Sequence, residues 1–202
     1  MNEYSIGLRR VWHGLVLAIV TTLYGFIGGA VLGLEDGPIR GVLAERVPEA
    51  SRAESAALVD RAWTFLRRSH LHAGGMGTAA IALISLVPVM TARQPRWLGA
   101  GMSLGLGAGG AGYAVALVVA AIRTPSLASA ALAKESAKFI AIPAAGAYMV
   151  GAALLLCLTV VWVWSGRNVG TSPHGPLDLE VVVVGGVQAR EVRAESGGGV
   201  GR

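Results

Sequence analysis

Four long stretches of the chain contain no Asp, Glu, Lys or Arg, and they predict its architecture. Each holds 24 to 28 residues, and they lie between Arg10 and Glu35, between Arg68 and Arg93, between Arg96 and Arg123, and between Lys138 and Arg167. At about 1.5 Å of rise per residue, a helix of this length crosses the roughly 30 Å hydrocarbon core of a bilayer. Lipid offers no hydrogen bonds to backbone groups, so helices are the expected spanning form. We therefore predict an all-α fold, an integral membrane four-helix bundle with spans at about 12–34, 71–92, 97–122 and 138–164.

The polar connection between the first two spans predicts one further helix. It contains six Arg and six acidic residues, and Ser51 and Glu54 within it have the spacing of a helix capping box. The apolar residues that follow share one broad face, as in an amphipathic helix. We predict an amphipathic extramembrane segment at 51–69, which either lies at the membrane interface or runs directly into the second span. Together with the spans it makes up a transmembrane domain of residues 1–164.

Residues 165–202 differ in composition from the spans and predict an extramembrane tail. Two valine-rich runs flank Gly185 and Gly186, a pattern typical of a β-hairpin, here over 179–192. The Gly-rich end that follows is expected to be flexible.

Composition agrees with a membrane protein and argues against a nucleic-acid-binding one. Hydrophobic residues make up 53% of the chain and charged residues only 14%, whereas a soluble domain carries about 25% charged residues. The net charge of +5 would suit a nucleic-acid partner. However, the Arg residues lie at the ends of the hydrophobic runs and form no basic stripe. The predicted partner is the lipid bilayer, and no nucleic acid is expected.

Positive charge at the span ends is nearly balanced between the two sides of the membrane. Arg9 and Arg10 directly precede the first span, and the first helix often decides orientation. We therefore predict an integral protein of the bacterial inner (cytoplasmic) membrane with both termini in the cytoplasm. Four tryptophans would then form a cytoplasmic aromatic belt, with Trp63 at the opposite membrane face: Trp12, Trp97, Trp162 and Trp164.

Glycine recurs at every fourth residue in two of the spans. The repeats are Gly25, Gly29 and Gly33 in the first span, and Gly101, Gly105 and Gly109 in the third. This spacing places small residues on one stripe of a helix, where two backbones can approach closely. We predict that these six glycines serve helix packing, within the bundle or against another subunit. The alternative is a cofactor or lipid lying flat on a smooth glycine face.

Two histidines, His70 and His72, stand at the start of the second span. Histidine at such a place is a frequent haem or metal ligand, which makes this pair the candidate cofactor site, for a haem or a metal ion of unknown identity. Residues two apart on an α-helix point about 200° apart, so the pair cannot readily chelate one ion. A haem would need a methionine such as Met76 or Met149, or a neighbouring chain, as its second ligand. The alternative is two interfacial histidines bonded to backbone or lipid headgroups.

Over three residues, His70-Leu71-His72 resembles the histidine pair of the haem–copper oxidase catalytic subunit, in which the two histidines serve different metal centres. The other ligands of that family, a second histidine pair and a His-Tyr helix, have no counterpart in this chain. The oxidase activity is therefore not carried over from this resemblance.

A polar group at the start of the fourth span forms the third candidate site. It consists of Lys134, Glu135 and Lys138, at the same membrane face as the two histidines. A carboxylate there can contact protons or a quinone, but more often it caps the helix N-terminus.

No catalytic constellation emerges from these motifs. We expect a non-catalytic subunit of a larger membrane complex, with other membrane subunits as partners and electron transport as the favoured setting. One alternative is a small haem- or metal-binding redox protein that uses His70 or His72. The other is a small dimeric membrane transporter.

Overall fold

The computed structural model describes residues 3–92 and 94–169, with side chains for 8–92 and 94–165. Within these ranges the chain is all-α, and the predicted β-hairpin at 179–192 lies outside them. The α-helices are α1 (Glu3–Leu34), α2 (Asp36–Glu45), α3 (Ser55–Met90), α4 (Arg96–Ser126) and α5 (Ala130–Val169), and a 3-10 helix covers Glu49–Glu54. Of these, α1, α3, α4 and α5 are each long and apolar enough to cross a membrane. The protein is thus an integral membrane four-helix bundle, as the charge-free runs predict.

Helix α4 lies at the centre of the bundle, in contact with α1, α3 and α5. Its many small residues explain this position, because Gly99, Gly107, Gly109 and Gly110 are all buried against neighbouring helices. The main core combines side chains from all four spans: Val11, Ala18, Ala80, Ile84, Val87, Met102, Leu106 and Leu155. The short links at 91–95 and 127–129 make α3, α4 and α5 antiparallel neighbours.

The four spans of the bundle do not all contact one another. No Cα of α1 lies within 8 Å of a Cα of α5, and α3 meets α5 much less than either helix meets α4. Helix α5 therefore rests mainly on α4, and a wedge opens between α3, α4 and α5 near the N-terminal end of α5. This wedge holds a cavity lined by residues of all three helices.

Helix α3 contains both the amphipathic segment and the second span. With 36 residues it is about 54 Å long, so its first turns extend beyond the hydrocarbon layer. Of the two arrangements predicted for 51–69, the structure shows the one that runs directly into the span. The predicted capping box does not form, because residues 49–54 adopt the 3-10 helix and Glu54 precedes α3 without a side-chain cap bond.

Helix α2 is a second extramembrane helix that the sequence pattern did not reveal. Its Leu43 is buried with Val59 and Ala62 of α3. Arg40 forms an ion pair with Asp60 at 2.5 Å, and its guanidinium lies 5.0 Å from the centre of the Trp63 ring. Trp63 is therefore only 7% exposed and packs within the extramembrane part of the protein.

Arg40 also binds Asp36 one turn earlier in α2. The hydrogen bonds to Asp60 and Asp36 raise the pKa of Arg40 above its ordinary value. The ion pair between Arg40 and Asp60 ties α2 to the extramembrane part of α3.

Candidate functional site

The two candidate histidines face different neighbours. His70 lies against α1, where its Cβ atom faces Gly28 and its ring faces Gly29. His72 instead faces α4 and α5 and shares a cavity with residues of both helices. The divergence follows from the helical repeat, which turns side chains two residues apart to nearly opposite directions. The structure therefore does not bring the pair together at one centre.

His70 is closely packed on its α1 side. A Cβ atom at Gly29 would lie 3.2 Å from the His70 Cδ2 atom, so the missing side chain makes room for the ring. The Nδ1 atom of His70 is buried and has no hydrogen-bond partner among the described residues. The ring borders two small cavities of about 350 and 300 Å³, the larger one also lined by Asp36 and Arg67. A buried, unpaired ring nitrogen beside a cavity is chemically suited to a ligand.

His72 is held by its own helix and by α4. Its Nδ1 atom lies 2.8 Å from the backbone oxygen of Arg68. A carbonyl only accepts, so Nδ1 carries the proton and donates. The ring tilts against Tyr113, with 5.4 Å between centroids. This arrangement leaves Nε2 as the ring nitrogen available to a ligand.

The cavity between α3, α4 and α5, which we call the wedge pocket, has a volume of about 490 Å³. Basic side chains reach it from two helices, Arg68 from α3 and Lys134 and Lys138 from α5. Its remaining lining, besides His72 and Tyr113, is apolar and consists of Phe65, Ala116, Leu117, Ala120, Ala137 and Ala141. The pocket thus combines a basic rim with an apolar floor.

Of the polar group predicted on the fourth span, both lysines line the wedge pocket together with His72. Glu135 forms an ion pair with Lys138 at 2.5 Å. Its expected role as a helix cap is wrong, because α5 begins at Ala130 and Ser129 accepts a hydrogen bond from the Leu132 N–H at 3.3 Å. Ser129 lies at the cap position, and Glu135 lies in the second turn.

Four of the six predicted glycines lie against another helix of the chain. A Cβ at Gly25 would lie 2.5 Å from the Gly74 Cα, and Gly29 faces His70. On α4, a Cβ at Gly105 would lie 2.8 Å from the Ala147 oxygen, and one at Gly109 would lie 2.6 Å from the Ala144 oxygen.

Gly33 and Gly101 differ from the other four, since a Cβ at either position would meet no atom within 4 Å. The prediction of packing inside this chain is therefore wrong for these two glycines. Contact with another subunit is the part of the prediction that stays open for them.

Several close helix contacts lie at glycines outside the four-residue repeats. Gly14 of α1 lies against Ser103 and Gly107 of α4, and Gly77 of α3 lies against Thr22 of α1. None of these glycines has another glycine four residues away, so that spacing does not identify them. Only the crossing points of the helices identify them.

Two tyrosines within the spans connect helices through hydrogen bonds. The Tyr24 hydroxyl lies 2.8 Å from the Ser69 hydroxyl, which in turn lies 3.2 Å from the Ala114 oxygen of α4 and donates to it. The Tyr148 hydroxyl of α5 donates to the Met76 oxygen of α3 over 3.3 Å. Such bonds join α1 to α3 and α4, and α3 to α5.

Among the described residues, no three His, Cys, Asp or Glu side chains come close enough to hold a metal ion together. A metal or haem at His70 would therefore require ligands from elsewhere. Comparison of the chain with protein-family models, with curated proteins and with solved structures finds no match. The chain's own geometry is therefore the basis for a functional proposal.

Proposed function

We propose that the protein is a non-catalytic integral membrane subunit that packs against other membrane subunits in a larger complex. The observation that supports this is the outward face of α4. There, Gly101, Leu104 and Ala108 are exposed on one stripe, and a side chain at Gly101 would meet nothing within this chain. Small residues on an outward membrane face let a second helix approach closely.

The outward face of α5 provides the contrast. It carries large side chains, and Phe139, Ile142 and Met149 are all strongly exposed. Large apolar side chains are what lipid tails contact on a helix with no protein partner. At Gly101 and Ala108 the outward face of α4 therefore suits a close protein neighbour, whereas the α5 face suits lipid.

We favour an electron-transport complex as the setting, and a redox role through His70 is the second candidate function. Both rest on the buried, unpaired Nδ1 atom of His70. A neighbouring chain would supply the further ligands that a haem or metal needs. Purified complex without Soret absorbance and without bound Fe, Cu or Zn would exclude this second candidate.

For location we propose the bacterial inner membrane, with the termini in the cytoplasm. Support comes from Arg9 and Arg10 before the first span and from four exposed tryptophans near the ends of the charge-free runs of α1, α4 and α5: Trp12, Trp97, Trp162 and Trp164. Thiol labelling of intact cells tests the orientation, after Cys157→Ser removes the single native cysteine. A cysteine introduced at Ser129 should then be labelled from outside, and labelling only after cell lysis would reverse the assignment.

The complex itself is tested by extraction from the native membrane in mild detergent, followed by a native gel. The protein should migrate with other subunits, and Gly101→Leu should release it, because the larger side chain would fill the contact. Gly146→Leu is the matched control, since a Cβ there also meets open space but on the lipid-facing helix. A stable solitary monomer, or equal behaviour of the two variants, would contradict the proposal.

A further inference from the structure

The wedge pocket concentrates positive charge in a way that ordinary charged span ends do not. Arg68, Lys134 and Lys138 come from two different helices and line the same cavity. Only Lys138 has a carboxylate within ion-pair distance among the described residues, namely Glu135. Basic side chains that merely reach for water would point separately into solvent. Here Arg68 and Lys134, which have no ion-pair partner among the described residues, line the same cavity as the ion-paired Lys138. This grouping favours an anion as occupant.

The apolar lining favours an anion that carries a hydrocarbon part. Below the basic rim, Ala116 and Ala120 of α4 pack against Ala137 and Ala141 of α5, and the four alanines form one wall of the cavity. These small side chains create a smooth apolar track beside the hydrocarbon layer. A free inorganic ion would gain nothing from such a track, whereas an amphiphile would bury apolar surface there.

The position of the pocket relative to the bilayer narrows the occupant further. Arg68 directly precedes the second charge-free run and Lys138 directly precedes the fourth. Both basic groups therefore lie at the boundary of the hydrocarbon layer, where lipid phosphates are found. A phosphate offers oxygens in several directions, which suits cations that approach from two helices, and Arg binds phosphate through its planar fork.

We propose that the wedge pocket is a binding site for an anionic phospholipid. The phosphate lies among Arg68, Lys134 and Lys138, and one acyl chain lies on the alanine track of α4 and α5, on the side where α3 and α5 separate. The volume of about 490 Å³ is within the range of about 300–1,000 Å³ typical of small-molecule sites. It accommodates the headgroup and the start of a chain, and the rest of the lipid stays in the bilayer. The bound lipid fills the wedge where α3 and α5 separate.

The test measures binding of phosphatidylglycerol to the full-length protein in phosphatidylcholine nanodiscs that contain a small fraction of it. The pocket variant is Arg68→Gln/Lys134→Gln, and the matched control is Arg46→Gln/Arg61→Gln. The control removes the same charge from exposed residues outside the pocket. Since each basic group near an anionic lipid adds about 1 kcal/mol, or about fivefold in affinity, the loss of two such groups should make the pocket variant bind about 25-fold more weakly. The control should change by less than about twofold.

Further arms of the experiment distinguish the sources of the anion. Inorganic phosphate and glycerol phosphate at millimolar concentration should not displace the lipid, because they lack the chain. Oleate should bind more weakly than phosphatidylglycerol, because a carboxylate offers fewer oxygens. Displacement by free phosphate, or equal binding of oleate, would overturn the assignment to a phospholipid.

Equal weakening in the pocket and control variants would overturn the site itself, because the effect would then be general surface charge. If the double variant fails to fold, Lys134→Gln alone decides, since Lys134 is exposed and has no carboxylate within ion-pair distance in the described part of the chain. That variant should still lower phosphatidylglycerol affinity about fivefold. Unchanged affinity in Lys134→Gln would refute the proposal.

Discussion

The two sides of α3 at His70 and His72 show opposite solutions to burying a helix in a membrane. Toward α1, glycines at Gly25, Gly29 and Gly74 bring the backbones together and leave only small spaces around the His70 ring. Toward α5, the helices separate, and basic groups surround a cavity beside His72. The close side provides stability through backbone contact, whereas the open side groups basic side chains around one cavity.

The largest expected effect is on the close side, at the crossing of α1 and α3. Gly25→Ala places a Cβ 2.5 Å from the Gly74 Cα, and overpacking of this kind costs about 1–3 kcal/mol or more. Thermal unfolding in detergent should show a clear loss of stability. Gly33→Ala, in the same helix but facing open space, should be neutral or gain up to about 1 kcal/mol from helix propensity. Similar stability of the two variants would mean that α1 and α3 do not cross at Gly25.

A smaller effect is expected where a hydroxyl group connects the close side to α4. Ser69→Ala removes the bonds to Tyr24 and to the Ala114 oxygen, and interhelical bonds of this kind contribute about 0.6 kcal/mol on average in membranes. The free energy of unfolding should fall by about 0.5–1.5 kcal/mol. Ser85→Ala serves as the control, because that hydroxyl bonds only within its own helix. A loss as large for Ser85→Ala would mean that the bonds between helices add nothing.

His70→Leu should behave unlike the usual loss of a buried polar side chain. The unpaired Nδ1 atom already costs stability, so removing it should leave the protein unchanged or up to about 1 kcal/mol more stable. Thermal unfolding measures this, and absorbance in the Soret region follows any haem in parallel. Marked destabilisation together with lost absorbance would instead identify the ring as a ligand to a cofactor.

The smallest effect is expected on the open side. His72→Gln loses one bond to the Arg68 oxygen and the contact with Tyr113, both at an exposed position. Stability should change by less than about 0.5 kcal/mol, as for most surface substitutions. A loss comparable to that of Gly25→Ala would show that the wedge pocket is a packed core and would remove the contrast between the two sides.

The spans were predictable because a membrane demands long apolar helices, and charge-free runs reveal them directly. The ends of the helices were less predictable. Helix α3 continues from the amphipathic segment into the span without a break, and α5 begins at Ala130 instead of at residue 138. Polar residues such as Lys134 and Glu135 are compatible with a helix that extends beyond the lipid. An absence of charge marks the lipid layer, and it does not mark the ends of a helix.

The candidate site was predictable in its parts and not in its grouping. Lys134 and Lys138 were placed at the same membrane face as the histidines, but nothing local indicated that His72 alone would join them in a cavity. From the sequence, Arg68 is recognisable only as a charge at the end of a span. Its role in the pocket depends on the distance between α3 and α5, which no local pattern encodes.

By itself, the sequence determined that the chain crosses a membrane four times and that His70 and His72 face different directions. Both follow from local geometry, namely the apolar length needed to span lipid and the 3.6-residue helical turn. Only the tertiary structure decided that α4 is central, that Gly33 and Gly101 stay unpacked, and that the wedge pocket opens beside α5. These features depend on which small residues meet at helix crossings, and such meetings join residues far apart in the chain.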